Sequence, residues 1–261
     1  MLFPFKFKEI IKFIVIFSIL TSSLFAIDIK NIYDAVDIAG KQRMFTQRML
    51  KDYAMIGMKN SFGNADKDLN ITISEFEDHL NSLSDYTKNS KIKDSTKKAK
   101  EVWLPIKKIL LSPPSRDKVV ELQESLDELL SLSNKTTGLF AKETGKESGK
   151  IVDISGRQRM LSQRMASLYM LKVWGINDSK FQEKMKSAMH LFKSSLETLK
   201  HSELNTDEIN KLLDEVEKSF MFFEIMNRSK SVFIPSLIYK KSNDILKNMN
   251  RVTHCYVEEC K

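Results

Sequence analysis

One stretch of the chain occurs twice, and that repetition limits the possible folds more than any other feature. The first copy is Val36-Asp37-Ile38-Ala39-Gly40-Lys41-Gln42-Arg43-Met44-Phe45-Thr46-Gln47-Arg48-Met49, with Tyr53 beyond it. The second is Val152-Asp153-Ile154-Ser155-Gly156-Arg157-Gln158-Arg159-Met160-Leu161-Ser162-Gln163-Arg164-Met165, with Tyr169 beyond it. The copies lie 116 residues apart, and 11 of the 18 positions from Val36 to Tyr53 are identical. Most replacements within the motif keep the chemistry, as with Lys41 against Arg157 and Thr46 against Ser162. A repeat kept for packing alone would preserve apolar character, not a string of Gln, Arg and Met. The stretch therefore reads as the functional centre. Farther along, Asn134-Lys135 and Thr137 match Asn250-Arg251 and Thr253 at the same offset. The period is too long for a solenoid unit, so this is a duplicated domain, with copies expected over 27–145 and 146–261.

The chain has only eight Gly and five Pro, and long runs of Lys, Glu, Leu, Ser and Met. That composition favours helices. Residues 1–26 read as a secretory signal: Lys6, Lys8 and Lys12 precede an uncharged run from Phe13 to Ala26, too short to span a membrane. The mature chain is then expected to be exported and periplasmic. The alternative reading is an uncleaved amphipathic anchor. The formal charge of +8 falls to +6 without that segment. Acids are interspersed among the bases and no aromatic-basic ladder is present, so a small anion or anionic lipid fits better than nucleic acid. Cys255 and Cys260 are compatible with a disulfide in an exported protein. The four scattered His do not form a metal site, and no cofactor is expected.

Helical spacing of apolar residues predicts four helices per copy. In the first copy they run over about 28–60, 66–89, 95–111 and from 115 onward. Pro105 is expected to kink or restart the third. Ser61-Phe62-Gly63-Asn64 and Ser112-Pro113-Pro114-Ser115 are breaks. In the second copy, Asn205-Thr206-Asp207-Glu208 reads as a capped start, with Glu208 closing the cap on Asn205. The last helix is expected to begin after Ser229 and to contain Pro235. No clear breaker separates the fourth helix from the second motif. The expected fold is therefore all-α, two tandem four-helix bundles joined by one long shared helix.

The first motif helix has two faces. Ile38, Gln42, Phe45, Met49, Tyr53 and Ile56 form a core face, and Tyr53 and Tyr169 are expected to pack with their hydroxyls at its rim. Ala39, Gly40, Arg43, Gln47, Leu50 and Ala54 form a second face, with twins Ser155, Gly156, Arg159, Gln163, Ala166 and Met170. Small residues allow close approach, so the two helices are expected to pack across a pseudo-twofold axis. Arg43 and Arg159 would then converge. Two charges about 6 Å apart repel by roughly 3 kcal/mol at an effective dielectric near 20. A planar oxyanion between them would remove that cost and accept forked hydrogen bonds from both. The candidate ligand-binding residues are Arg43, Arg159, Gly40, Gly156, Gln47 and Gln163. Arg48 and Arg164 point elsewhere around the helix and are secondary candidates, expected to meet carboxylates on neighbouring helices or to sit at the edge of the site. The motif methionines read as core. No Ser-His-acid set, zinc motif or phosphate-binding loop points to an enzyme. A structural or protein-interaction module with no small ligand is the alternative.

The two motifs, Ile38 to Met49 and Ile154 to Met165, resemble the PilJ-type sensory domain, the N-terminal domain of type IV pili methyl-accepting chemotaxis transducers. More distantly they resemble the periplasmic box of nitrate/nitrite sensor kinases. The resemblance implies a helical periplasmic sensor that binds nitrate or nitrite between paired first helices, with Arg43 and Arg159 at the ligand-contacting position. One chain here supplies a pair that two subunits supply in the kinases. The chain departs from the pattern at Asp37 and Asp153, where the family usually has Asn. The chain ends with the second repeat, so a separate membrane-bound chemoreceptor or histidine kinase is the expected partner.

Overall fold

The computed structural model describes residues 27–145, 147–228 and 233–258, without the side chains of residues 147 and 148. The expected signal segment and Cys260 lie outside the described residues. Among them are eight α-helices and no strand: α1 Ile32–Gly57, α2 Ala65–Tyr86, α3 Ser90–Leu110, α4 Arg116–Glu143, α5 Glu147–Val173, α6 Ser179–Lys200, α7 Asp207–Arg228 and α8 Pro235–Glu258. Side-chain caps start several of them. Asn31 accepts from the backbone of Tyr33 and Asp34, and Asn89, Ser115 and Asp178 act likewise on α3, α4 and α6. The first break falls where expected, with Gly63 and Asn64 both at positive φ.

Helices α1 to α4 form one bundle and α5 to α8 the other, and the motif helices α1 and α5 make the largest contact in the molecule. Neighbours within a bundle alternate in direction. The Tyr53 hydroxyl at the end of α1 accepts from the Ser115 N–H at the start of α4, and Asn89 at the start of α3 donates to Glu143 at the end of α4. By contrast α1 and α5 run parallel: Gly40 faces Gly156 near their starts, and Gly57 packs on Trp174 at their ends. The pseudo-twofold axis therefore runs along the helices, between the two glycines.

That parallel pairing overturns the long shared helix. Since α4 is antiparallel to α1, it is also antiparallel to α5, and the chain must reverse between them. Helix α4 stops at Glu143, and Gly145 takes φ +62°, a conformation no continuous right-handed helix contains. Gly149 then packs so closely on the Thr144 side chain that a Cβ there would lie 2.1 Å from its Oγ1. Three smaller expectations also change. Pro105 does not restart α3, which begins five residues early and continues to Leu110. Pro235 is not inside α8 but is its first residue, where the missing N–H costs nothing. Asn205 does not cap α7. Its amide donates back to the Leu199 carbonyl and its Oδ1 accepts from Tyr256, while Glu208 pairs with Arg251 at 2.7 Å.

Candidate functional site

Arg43 and Arg159 lie at the centre of the α1–α5 contact, each only 1% exposed. Glycine makes this possible. A Cβ on Gly40 would lie 3.2 Å from Nη2 of Arg159 and 3.3 Å from Nη2 of Arg43; on Gly156 the same two nitrogens would be 3.0 and 3.1 Å away. Both guanidinium groups therefore fold over the glycine pair, on the face predicted from the helical wheel.

The acids of the motif complete the arrangement. Arg43 Nη1 donates to Asp153 Oδ1 at 2.6 Å and its Nη2 donates to the Asp153 carbonyl at 3.1 Å. Arg159 Nη2 lies 2.7 Å from Asp37 Oδ1 and donates to the Asp37 carbonyl, while its Nη1 donates to Asn250 on α8 at 3.2 Å. Each arginine thus reaches across the axis to the other copy's acid. Each acid also pairs on its own helix, Asp37 with Lys41 and Asp153 with Arg157, both at 3.0 Å. Burial alone would raise the Asp37 carboxyl, but Arg159 and Lys41 outweigh it and hold the group down at about 2. Four cations therefore share two carboxylates, leaving the cluster positive by two. His79 adds nothing to this: burial, reinforced by Lys41, lowers it to about 4. The Nε donors of Arg43 and Arg159 are buried and have no hydrogen-bond partner among the described residues.

The other candidates separate. Gln47 is buried and donates only to its neighbour Thr46, at 3.2 Å. Gln163 donates to the Ser242 carbonyl at 3.0 Å and accepts from Lys51 at 2.8 Å. Neither amide bonds to the arginine pair. Arg48 sits 3.4 Å from Asp68 and 3.7 Å from Asp52, and Arg164 forks onto Asp127 of α4. Both meet carboxylates, as their position on the wheel implies. Tyr53 and Tyr169 are core residues whose hydroxyls accept the backbone N–H of Ser115 and Ile234.

Three features were not anticipated. Gln42 and Gln158 donate to the carbonyls of Phe76 and Phe192, both at 2.9 Å, clamping each motif helix to the next. Their identity in both copies was the available signal. Asp37 and Asp153 are partners of the arginines, not a disturbance beside them. Lys51 and Asp52 are both fully buried. Lys51 donates to Gln163 on α5 and to Asn243 on α8, and lies over the Tyr239 ring. Among the described residues no cluster of His, Cys, Asp and Glu could hold a metal.

Comparison with known families places the chain and its repeat. The family model for the N-terminal domain of type IV pili methyl-accepting chemotaxis transducers, PilJ, matches residues 30–136 and 140–220. The chain belongs to this family. The PilJ match falls in two segments, in keeping with two tandem copies, and the family is a sensory one, not a catalytic one. The second segment stops within α7, but α8 packs on α5 as α4 packs on α1. No characterised protein and no solved structure matches the chain.

Proposed function

We propose that this member of the PilJ family is a periplasmic sensor that binds a small planar oxyanion, nitrate or nitrite, between α1 and α5 and reports to a separate membrane-bound chemoreceptor or histidine kinase. The observation that carries the reading is the buried arginine pair over Gly40 and Gly156, with a positive surplus and two unused Nε donors. The carboxylates of Asp37 and Asp153 hold this pair when no anion is bound. An entering oxyanion competes with them for Arg43 and Arg159. A displaced carboxylate is not stranded, because Lys41 or Arg157 already holds it. Exchanging a carboxylate tied to the opposite helix for a shared, unattached anion changes how α1 and α5 are fastened. That change in fastening is the signal, and it requires the anion to bind the rearranged state more tightly than the closed one.

Calorimetric titration of the mature protein with nitrate and nitrite tests this. Saturable binding is expected, with affinity falling at least about tenfold in Arg43→Ala or Arg159→Ala, since a charge-assisted hydrogen bond contributes about 1.5–3 kcal/mol. Absence of binding by nitrate, nitrite or any other small oxyanion overturns it. The cross-paired acids favour one other reading, a helical structural or interaction module whose arginines only close the α1–α5 contact. In that case nitrate leaves the thermal midpoint unchanged.

A further inference from the structure

The second bundle contains a cavity of about 590 Å³ between the end of α5, the turn at 176–178, the start of α6 and the end of α7. That size suits a small organic molecule. Its floor is apolar and buried: Tyr169, Phe181, Met185 and Met226 are each under a tenth exposed. Two of these are methionines, whose unbranched thioether side chains adapt to different shapes. Its rim is polar and carries three exposed cations, Lys172, Lys186 and Arg228, against one carboxylate, Asp178. That carboxylate already accepts from the Lys180 N–H at 2.8 Å as the cap of α6. The Tyr169 hydroxyl accepts from Ile234 N–H at 2.9 Å, which leaves its own proton to donate. Burial raises the phenol above its ordinary value, so it stays a donor.

The first copy is an internal control. The 116-residue offset holds through the bundles, since the Gln42–Phe76 and Gln158–Phe192 clamps match. At that offset the rim cations Lys172, Lys186 and Arg228 correspond to Ile56, Asn70 and Ser112, and the floor residue Phe181 to Ala65. The floor residue Tyr169 has its twin in Tyr53, so that part of the floor is common to both copies. The basic rim and Phe181 are not inherited from the repeat and belong to the second copy alone.

We infer that this cavity is a second ligand site, separate from the arginine pair, for a small molecule with an apolar body and one anionic head group. The body lies on Phe181, Met185 and Met226, and the head meets the Lys172, Lys186 and Arg228 rim. Exposed cations alone would hold an anion weakly. The apolar floor supplies the attraction, and the rim supplies the preference for a charged head.

Octanoate and octan-1-ol, equal in chain length and different in charge, are the probes. In mature protein carrying ¹³C-methyl methionine, octanoate is expected to shift the Met185 and Met226 methyl signals saturably and to bind at least about tenfold more tightly than octan-1-ol. Lys172→Glu with Arg228→Glu, both on the exposed rim, is expected to abolish that preference while octan-1-ol still binds. Met185→Trp, which fills the cavity, is expected to remove both. No saturable shift, no preference for octanoate, or binding that survives Met185→Trp overturns the inference. Nitrate titration of the same samples reads the arginine pair separately, so neither result depends on the other.

Discussion

Asp37 and Asp153 decide how the arginine pair behaves. Each carboxylate occupies donors that an oxyanion would need, so each lowers the apparent affinity for any ligand. Asp37→Asn is therefore expected to tighten nitrate binding about tenfold, because the competing charge-assisted bond to Arg159 is lost. The measurement is a calorimetric Kd against the unaltered protein, and a weaker Kd would count against competition. The same residue sets an acid limit. Its folded carboxyl lies near 2, below the ordinary value of 3.8. A depressed carboxyl stabilises the fold above the unfolded value and loses that contribution as pH falls from about 4 toward 2. The contribution is about 2 kcal/mol. Acid unfolding of the ligand-free protein should therefore begin in that window, and Asp37→Asn should flatten it. At this scale the sequence was partly readable. Helical spacing placed Arg43, Gly40 and their twins on one face. It did not show that an acid six residues before one arginine would reach the arginine of the other copy, because that pairing depends on the parallel register of two helices far apart in the chain.

The elements were legible where local chemistry controls them. Apolar periodicity and the breaks at 61–64 and 112–115 gave four helical segments per copy in about the right places, although the cap read at Asn205 does not form and α4 and α5 read as one rod. The direction of α5 was not legible. Gly145 and Gly149, four residues apart with no Pro beside them, carry little local signal, and the reversal is enforced by the fit of α5 on α1. Lys51 and Asp52 were equally hidden, since a Lys-Asp pair on a helix ordinarily reads as solvated. The second copy holds Ser167 and Leu168 at these positions, which shows that the fold does not require the charges. Burial pushes the Lys51 ammonium down to about 8 and the Asp52 carboxyl up to about 6. Both shifts mean that ionisation is opposed by burial. A buried pair of this kind is tolerated as a pair and costly when split. Lys51→Met alone is expected to destabilise the protein by about 3 kcal/mol, and Lys51→Met with Asp52→Leu to recover most of that loss, as read by urea unfolding. A double variant no better than the single would show that the bonds from Lys51 to Gln163 and Asn243 outweigh the cost of burying the charges. Where α1 and α5 end, Gly57 lies under Trp174, and a Cβ there would sit 2.1 Å from the indole. Gly57→Ala should cost about 1–3 kcal/mol through that overlap, whereas Gly138→Ala, with open space around it, should not.

At the scale of the whole molecule, the two copies interlock through more than the motif helices. Helix α4 reaches across to the second bundle, where Asp127 takes Arg164 and Lys184. Helix α8 reaches across to the first, where Tyr239 donates to Asp68 and Asn243 accepts from Lys51. The two crossings are related by the repeat: Asp127 corresponds to Asn243, Gln123 to Tyr239, and Lys184 to Asp68. These exchanges make the copies complementary, not interchangeable. Two first copies paired together would set Asp127 beside Asp68 and Asp52, an excess of acid at each crossing. Two second copies would leave Arg164 and Lys184 facing Asn243, with no carboxylate at all. In two first copies Arg48 and Lys51 do not offset the three acids, so the mixed pair comes nearer to charge balance at its crossings than either pair of like copies. Repulsion in the wrong pairs is how such interfaces choose partners. If the chain is divided at the α4–α5 turn and the segments 27–145 and 147–258 are expressed separately, mixing them should give a one-to-one heterodimer in preference to either homodimer, read by native mass spectrometry at low salt. Raising the salt should erode that preference, because partly exposed charges enforce it. A statistical mixture of the three dimers at low salt would mean that the glycine and arginine faces dominate pairing and the crossings do not select. Asp127→Asn tests the same point from the other side. It makes the first copy resemble the second at that crossing, and should weaken the heterodimer while relieving the acidic homodimer.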